Sequence, residues 1–317
     1  MLEVVTADER AAELERRFGR LHCRLRLGIE DDHEARRHRH SRRWQRRRRW
    51  YLSPALIRTA LQLTGLYWRA RRNAARIQIR RHRVGLRRLP PDFNGFTILQ
   101  ISDLHVDISP MAMRRLAELL PQLEYDLCVL TGDYRGRTYG SCEATIAGMA
   151  DLRRHIAAPA YAVLGNHDSL RIVPAFEAMG IGMLVNEAVP LQRGGARVNL
   201  AGIDDAHYYR THNIEKAAAA IPHGELAILL SHTPEVYRQA AHAGFDLLLS
   251  GHTHGGQICL PGAIPLTLDS VLPRHMGRGS WRYAGMIGYT SVGVGSSIVS
   301  LRLNCPPEIT LHELRDG

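Results

Sequence analysis

The segment FDLLLSGHTHGGQ, residues 245–257, places two histidines directly after an apolar run. Residues 245–250 have the length and composition of a buried β-strand. His252 and His254 are separated by one residue, so an extended backbone would point both imidazoles to the same side. This segment alone is ambiguous, because a loop that contains two hydrogen-bonded histidines would have the same sequence.

Four other apolar segments of the chain also end in side chains that can bind a metal ion. FTILQIS precedes Asp103 and His105, DLCVLT precedes Asp133, YAVL precedes Asn166, His167 and Asp168, and LAILLS precedes His232. Helical patterns separate most of these segments, which predicts an α/β fold. Open α/β sheets bind ligands at the carboxyl ends of their strands, so we expect all five segments to meet at one crevice.

The types of donor indicate the type of metal. Carboxylate, imidazole and amide groups together suit Mn²⁺, Fe²⁺ or Zn²⁺ better than Ca²⁺. The set is large enough for two divalent ions, and a pair about 3.5–4 Å apart activates water and clamps a phosphoryl group. Each motif alone has an ordinary explanation as a turn or a surface histidine. Their joint occurrence after apolar strands favours a two-metal site.

The order of these motifs resembles that of the calcineurin-like metallophosphoesterase superfamily. The motifs are D-x-H, G-D, G-N-H-D, an isolated histidine and G-H-x-H, between residues 103 and 254. The SDLH, GHTHGGQ and PEITL segments are similar to its bacterial YkuE/YaeI-like branch. The resemblance covers residues 77–314, from a predicted edge strand at 76–86 to a closing strand at 307–314. It implies an α/β fold, a four-layer α/β/β/α sandwich in one domain.

The resemblance also implies a role for each residue. The expected ligands of one metal are Asp103, His105, Asp133 and His254. Those of the second metal are Asp133, Asn166, His232 and His252, so that Asp133 bridges the pair. We expect His167 to protonate the leaving group or stabilise the phosphoryl charge, and Asp168 to orient His167.

The implied reaction is hydrolysis of a phosphate ester, phosphodiester or pyrophosphate by a metal-bridging hydroxide. UDP-2,3-diacylglucosamine is the lipid substrate that the resemblance suggests. A nuclease and a metal-binding interaction protein without turnover are the alternative functions. We expect the loops at 134–141, 204–213 and 261–281 to determine specificity.

Positive charge is concentrated at the N-terminus. The chain has 317 residues and a formal net charge of +11, but residues 1–90 alone carry 25 arginines and 9 acidic residues. The rest of the chain is mildly acidic, which weakens the nuclease hypothesis. We expect residues 1–50 to form a flexible arm, a polar helix followed by a solvated tail, because the arginine-rich run at 36–49 cannot bury a core. Its expected partner is an anionic lipid surface, with nucleic acid as the alternative.

Residues 51–74 form the second predicted region, ahead of a catalytic domain at 75–317. The apolar stretch YLSPALIRTALQLTGLYW contains Arg58 near its middle and aromatic residues at both ends. These features favour an amphipathic helix at a membrane surface over a spanning helix, with packing on the protein itself as the alternative. We expect a peripheral protein at the cytoplasmic face of the inner membrane; a soluble cytoplasmic protein is the alternative, and export is not favoured. The five scattered cysteines indicate reduced thiols.

Overall fold

Two six-stranded β-sheets dominate the fold. The computed structural model describes residues 7–39 and 54–317 of the chain. The first sheet contains β1 (Gln78–Leu86), β2 (Thr97–Ile101), β3 (Leu127–Leu130), β4 (Ala160–Ala162), β5 (Ile181–Met183) and β14 (Glu308–Asp316), in the spatial order β1-β14-β2-β3-β4-β5. Strands β2 to β5 are parallel, and β14 runs antiparallel to β2. The predicted edge strand is confirmed as β1.

The second sheet also has six strands. It contains β6 (Glu187–Arg193), β7 (Ala196–Gly202), β8 (Ala227–Leu230), β9 (Leu247–Ser250), β12 (Gly279–Tyr283) and β13 (Met286–Thr290), in the order β12-β13-β9-β8-β7-β6. Its four central strands are parallel and its two edge strands are antiparallel to their neighbours. The short strands β10 (Cys259–Leu260) and β11 (Ile264–Pro265) form a separate hairpin just after the two histidines.

Helices surround the two sheets. Within the described ranges they are α1 (Ala7–Phe18), α2 (Arg20–Arg39), α3 (Pro54–Leu63), α4 (Tyr67–Asn73), α5 (Pro110–Leu119), α6 (Glu143–Arg153), α7 (Val173–Ala178), α8 (Ile214–Ala218) and α9 (Tyr237–His242). Helices α5 to α7 pack on the first sheet, and α8 and α9 pack on the second. The four-layer α/β/β/α sandwich is therefore confirmed.

Apolar side chains from both sheets fill the space between them. Ile98 and Val129 of the first sheet belong to one buried cluster with Leu200, Leu230 and Leu249 of the second. The central strands are buried on both faces, which explains why their sequences are continuous apolar runs without alternation. Strand β6 has no such run because it is a partly exposed edge strand, and its sequence does not predict it.

The N-terminal helix pair, α1 and α2, differs from the expected flexible arm. Leu14, Phe18 and Cys23 are buried in the cluster on the outer face of the first sheet. Residues 14–30 therefore differ from a flexible arm, because apolar residues at helical spacing give this pair a face that packs. Residues 40–53, which hold most of the arginine-rich run, lie outside the described residues.

The apolar stretch after the arm forms two short helices rather than one. Helix α3 ends at Leu63, and α4 begins at Tyr67 after a turn in which Gly65 has a φ of 69°. Leu61 and Ala70 pack against residues 299–303. Among the described residues, every helix is too short or too polar to cross a bilayer.

Replacing Phe18 tests whether the N-terminal helix pair is part of the core. Phe18 is 2% exposed, so we expect Phe18→Ala to lower the free energy of unfolding by about 3–5 kcal/mol. Leu21→Ala is the matched control, because Leu21 lies on the same helix pair and is 72% exposed. Urea denaturation followed by circular dichroism measures both. Equal stability of the two variants would contradict the packing.

Candidate metal centre

The five polar strand ends meet at one edge of the sandwich. Strands β2, β3 and β4 of the first sheet and β8 and β9 of the second lead into this edge. Two groups of donors lie there, each with donor atoms within 4.8 Å of one another: Asp103, His105 and His254 in one, and Asp133, His232 and His252 in the other. The structure thus brings together six of the seven predicted ligands, each in the expected group, and the seventh, Asn166, touches the second group.

In the first group, two imidazoles and a carboxylate face a common point. His105 Nε2 lies 3.2 Å from His254 Nε2, and the two rings are stacked at 17°. His254 Nε2 also lies 3.4 Å from Asp103 Oδ1. All three residues are buried. His105 Nδ1–H donates to the carbonyl oxygen of Arg135 at 2.6 Å, so His105 Nε2 presents its lone pair to the group.

The second group is built on Asp133. His232 Nε2 lies 3.3 Å from Asp133 Oδ2 and 3.0 Å from Asn166 Oδ1. His232 Nδ1–H donates to the carbonyl oxygen of Thr131, and His252 Nε2–H donates to that of Asp269. His252 therefore offers Nδ1 to the group. Asp133 Oδ2 is also 3.9 Å from His105 Nε2 of the first group, so Asp133 lies between the two groups.

Burial controls the protonation of most residues at this site. Burial raises the pKa of Asp103 to about 6 and lowers the pKa of His105 to about 4 and that of His252 to about 3. Imidazoles held neutral in this way are in their metal-binding form. Burial alone would lower the pKa of His232, but attraction to Asp133 raises it to about 10. A divalent cation in each group would separate the apposed nitrogens and satisfy the buried oxygens, so the residues present fit a dinuclear centre.

The backbone at the ligands corrects one part of the sequence interpretation. His252 and His254 do not belong to an extended strand, since both have left-handed backbone, with φ of 71° and 49°. Asp103, His105 and Asp133 have φ of 53°, 42° and 58°. Such backbone costs about 1–3 kcal/mol at each residue and is concentrated at functional sites. The imidazoles reach separate groups through this turn geometry, and not through the alternation of a strand.

Two glycines allow the ligand segments to approach each other. A Cβ atom on Gly251 would lie 1.9 Å from Ser102 Oγ and 2.4 Å from Asp103 Oδ2. A Cβ atom on Gly132 would lie 2.7 Å from the Gly165 backbone nitrogen and 2.8 Å from His232 Nδ1. Any other residue at these positions would displace a ligand.

His167 lies at the open side of the pair of groups. Its side chain is 25% exposed, and its Nε2 atom is 4.0 Å from Asp133 Oδ2. Thr138 Oγ1 is hydrogen-bonded to His167 Nδ1 at 2.8 Å, which leaves Nε2 directed toward the centre. His167 is thus placed to reach a group bound between the two metal positions.

The contacts of Asp168 differ from the expected ones. Its carboxylate accepts backbone N–H groups of Asp133, Tyr134, Arg135 and Gly165, at 2.7–3.2 Å. The hydrogen-bond partner of the His167 ring is Thr138 instead. Asp168 therefore acts on the bridging residue, by fixing the turn that carries Asp133, because backbone amides are the donors that its position reaches.

Arg302 is a site residue that the sequence did not indicate. Its guanidinium is fully buried and donates to the carbonyl oxygens of Val292 and Gly295, and Nη2 lies 3.3 Å from His254 Nδ1. No motif marks it, because it lies 48 residues from His254 in the sequence.

Gly255, Gly256 and Gln257 directly follow the second histidine of the metal centre. Added Cβ atoms on the two glycines would meet Val292 at 2.7 Å and Pro265 at 2.4 Å. The Gln257 amide bonds to the backbone of Ser297 and Val299. This segment therefore packs against protein.

An α/β/β/α sandwich that carries two groups of metal donors at one edge is the arrangement of a dinuclear-metal phosphoesterase. The model of the calcineurin-like phosphoesterase family matches residues 96–256, which include every predicted ligand. The chain belongs to this family and is a metal-dependent phosphoric ester hydrolase.

Curated relatives confirm the bacterial branch. The chain is 29% identical to an uncharacterized metallophosphoesterase, YkoQ, of Bacillus subtilis, over 78% of this chain and 94% of that protein. It is 30% identical to the phosphodiesterase YaeI of Escherichia coli, over 69% of this chain and 82% of the relative. A Bos taurus transmembrane protein with metallophosphoesterase domain is 29% identical over 83% of this chain, which spans 62% of that protein.

Asp133→Asn tests the bridging position. Loss of the shared carboxylate should weaken Mn²⁺ binding by more than about 100-fold, since replacing only an outer partner of a ligand costs 10–100-fold. Hydrolysis of bis(p-nitrophenyl) phosphate should fall in parallel. Calorimetric titration and metal analysis measure the binding. Asp151→Asn, on an exposed carboxylate of α6, should behave as the unmodified chain. Unchanged Mn²⁺ affinity in Asp133→Asn would refute the assignment.

Proposed function

We propose that this protein hydrolyses a phosphodiester or pyrophosphate bond of an amphiphilic substrate at an anionic membrane surface. The observation that supports this proposal is an exposed apolar strip that extends from α3 to the rim of the metal centre. UDP-2,3-diacylglucosamine is a substrate of the required kind, because it joins a pyrophosphate to acyl chains. The proposed location is the cytoplasmic face of the inner membrane.

The strip begins on α3 and α4. Ile57 and Leu61 pack inward, whereas Leu56, Leu63 and Trp68 are exposed. Leu63 is 83% exposed, although it lies in a helix whose other face is packed. An apolar helix face that the protein leaves uncovered is typical of an interfacial helix.

The β10–β11 hairpin continues the strip toward the metals. Leu260, Ile264 and Leu266 are exposed on or beside it. Contacts join the hairpin to α4 on one side, because Arg69 donates to Asn304 Oδ1 and the Asn304 amide donates to the carbonyl oxygen of Cys259.

On its other side the hairpin region reaches the ligands themselves. Pro265 lies against Gly256, next to His254. The loop after the hairpin binds His252 through the carbonyl oxygen of Asp269. This loop also carries Val271, which is 89% exposed. A substrate whose acyl chains lie along this strip would place its phosphate near the two donor groups.

Charge on the same part of the chain complements an anionic surface. The exposed arginines near α4 and β1 include Arg69, Arg71, Arg72, Arg80, Arg81 and Arg83. Each cation near an anionic lipid surface contributes about 1 kcal/mol of attraction. The arginine-rich sequence at 36–49 adds to this charge. The name of the bovine relative, a transmembrane protein, agrees with a membrane location without identifying the substrate.

The side chains described above supply distinct parts of the chemistry. Two divalent ions, when bound, activate water and neutralise phosphoryl oxygens. Asp133 would contribute its carboxylate to holding the ions, and Asp168 fixes the turn that carries Asp133. His167, held by Thr138, is placed to give a proton from Nε2 to the departing oxygen.

His167→Ala tests the proton-transfer role. We expect kcat to fall by about 10²–10⁴-fold, with Mn²⁺ binding retained, because His167 is not in either donor group. The loss should be greater for an alkyl phosphodiester than for a p-nitrophenyl ester, whose leaving group needs no proton. His155→Ala, at an exposed histidine, is the control. Equal losses with both leaving groups would exclude general-acid catalysis.

Leu63→Asp tests the membrane surface. Loss of one buried leucine costs about 1.5–3 kcal/mol, so binding to phosphatidylglycerol-containing vesicles should weaken at least about tenfold. Hydrolysis of a soluble phosphodiester should be unchanged. Leu21→Asp on α2 is the control, since it is exposed outside the strip. Vesicle co-sedimentation at several salt concentrations measures binding. Full binding by Leu63→Asp, or binding to RNA instead of vesicles, would contradict the proposal.

The substrate class is tested by a screen with Mn²⁺. Phosphomonoesters, phosphodiesters and nucleotide-sugar lipids are compared, the lipids in mixed micelles. Higher kcat/KM for the lipid pyrophosphates than for their deacylated forms would support an amphiphilic substrate, and equal values would contradict it.

A further inference from the structure

A buried arginine of helix α2 binds the backbone of the loop at residues 165–171, which we call the metal-binding loop. Arg26 is fully buried, and its Nη2 atom donates to the carbonyl oxygen of Asp168 at 2.8 Å. Its Nε atom lies 3.3 Å from Asp204 Oδ2, and Nη1 lies 3.0 Å from Glu30 Oε1. The guanidinium also stacks 3.2 Å from the centre of the Tyr209 ring. Arg26 thus connects the loop after β4 of the first sheet, through Asp168, to the loop after β7 of the second sheet, through Asp204.

Glu30, one turn further along α2, binds the same loop. Its carboxylate accepts Ser169 Oγ–H at 2.5 Å and the backbone N–H of Leu170 at 2.9 Å. Arg171 Nη1 lies 3.0 Å from Glu30 Oε2. Together with Arg26, Glu30 holds four consecutive residues, 168–171, against α2.

These contacts lead directly to the metal ligands. Residues 166–168 carry Asn166, His167 and Asp168, and the carboxylate of Asp168 accepts the backbone N–H of Asp133 at 2.7 Å. The backbone N–H of His167 in turn donates to Asp133 Oδ1 at 2.9 Å. The loop therefore lies between α2 on one side and Asp133 on the other.

Docking of the helix pair does not itself require buried charge. Phe18 and Leu14 already anchor α1 in the core, and Arg17 binds Glu177, Glu187 and the carbonyl oxygen of Met183 at the surface. Burying an arginine with its partners is expensive and is frequently no more stabilising than apolar packing. The free-energy cost of burying Arg26 has a reason if catalysis needs the geometry that Arg26 imposes on residues 168–171.

We propose that Arg26 and Glu30 are positioning residues of the phosphoesterase, which hold the 165–171 loop so that Asn166, His167 and Asp133 meet the metals correctly. The N-terminal helix pair is then part of the catalytic apparatus, although it supplies none of the ligands. This proposal rests on the metal centre, and it is independent of the lipid substrate.

The test compares Arg26→Gln with Arg17→Ala in the full chain. Both remove an anchor of the N-terminal helix pair, but only Arg26 touches residues 168–171. We expect Arg26→Gln to weaken Mn²⁺ binding by about 10-fold, the lower end of the effect of direct partners of ligands, because Arg26 acts through Asp168. It should also lower kcat for a soluble phosphodiester more than it changes KM, and accelerate amide hydrogen exchange at 165–171. Arg17→Ala should leave Mn²⁺ affinity unchanged.

If Arg26→Gln does not fold, two variants that remove less of the contact network still test the positioning role. Glu30→Gln keeps the shape of the side chain, and Ser169→Ala removes one of its hydrogen bonds. Both should weaken Mn²⁺ binding, and Arg26→Lys should restore part of what Arg26→Gln loses. Wild-type Mn²⁺ affinity in the folded variants, or equal loss in Arg17→Ala, would overturn the positioning role. A wild-type chain that binds no Mn²⁺ would instead overturn the metal centre and this proposal with it.

Discussion

The carboxylate of Asp133 lies within 4.0 Å of imidazole nitrogens of His105, His167 and His232, and the rest of the fold supports this crowding. Buried polar atoms without partners are costly, and apposed lone pairs repel. Two sheets nevertheless hold these groups together, because inter-sheet apolar packing supplies the stability that the site itself lacks. The result is a site at the edge of the sandwich whose donor atoms suit divalent cations.

Backbone strain at this site is concentrated in the ligand residues with positive φ. The ligands with left-handed backbone belong to short turns that follow strands, and buried side chains hold those turns from behind. Asp168 binds the amides of the Asp133 turn, and Arg302 binds the carbonyls that lie behind His254. A turn fixed from outside the site can keep its ligands at one separation whether or not a substrate is bound.

The N-terminal helix pair makes more buried contacts than its composition indicated. Its arginines are so frequent that the sequence resembles a solvated arm, yet Arg26 is buried against Asp204 and Asp168. Amino-acid composition counts all arginines alike, whereas the burial of each arginine depends on the residues that surround it in the fold. Arg26 and an exposed arginine such as Arg69 are indistinguishable until Asp204, 178 residues away, is placed beside one of them.

Much of the fold and most of the candidate site could be predicted because each ligand follows an apolar strand. Parallel strands of one sheet end at the same edge, so local sequence was enough to place Asp103 beside Asp133. His232 follows β8 of the second sheet, and it joins them through the packing of the two sheets. The roles of Asp168 and Arg302 could not be predicted in this way. Their partners are backbone groups, and backbone groups leave no residue type in the sequence to recognise.

The sequence by itself therefore determined the α/β fold, the identities of the donor residues and the class of phosphoester chemistry. These depend on residue type and on order along the chain. Only the tertiary structure decided the left-handed turns that direct His252 and His254 into separate groups, and the docking of α2 behind the metal-binding loop. Both depend on contacts between residues that are distant in the chain, and the free energy of such contacts exists only once the two sheets have packed.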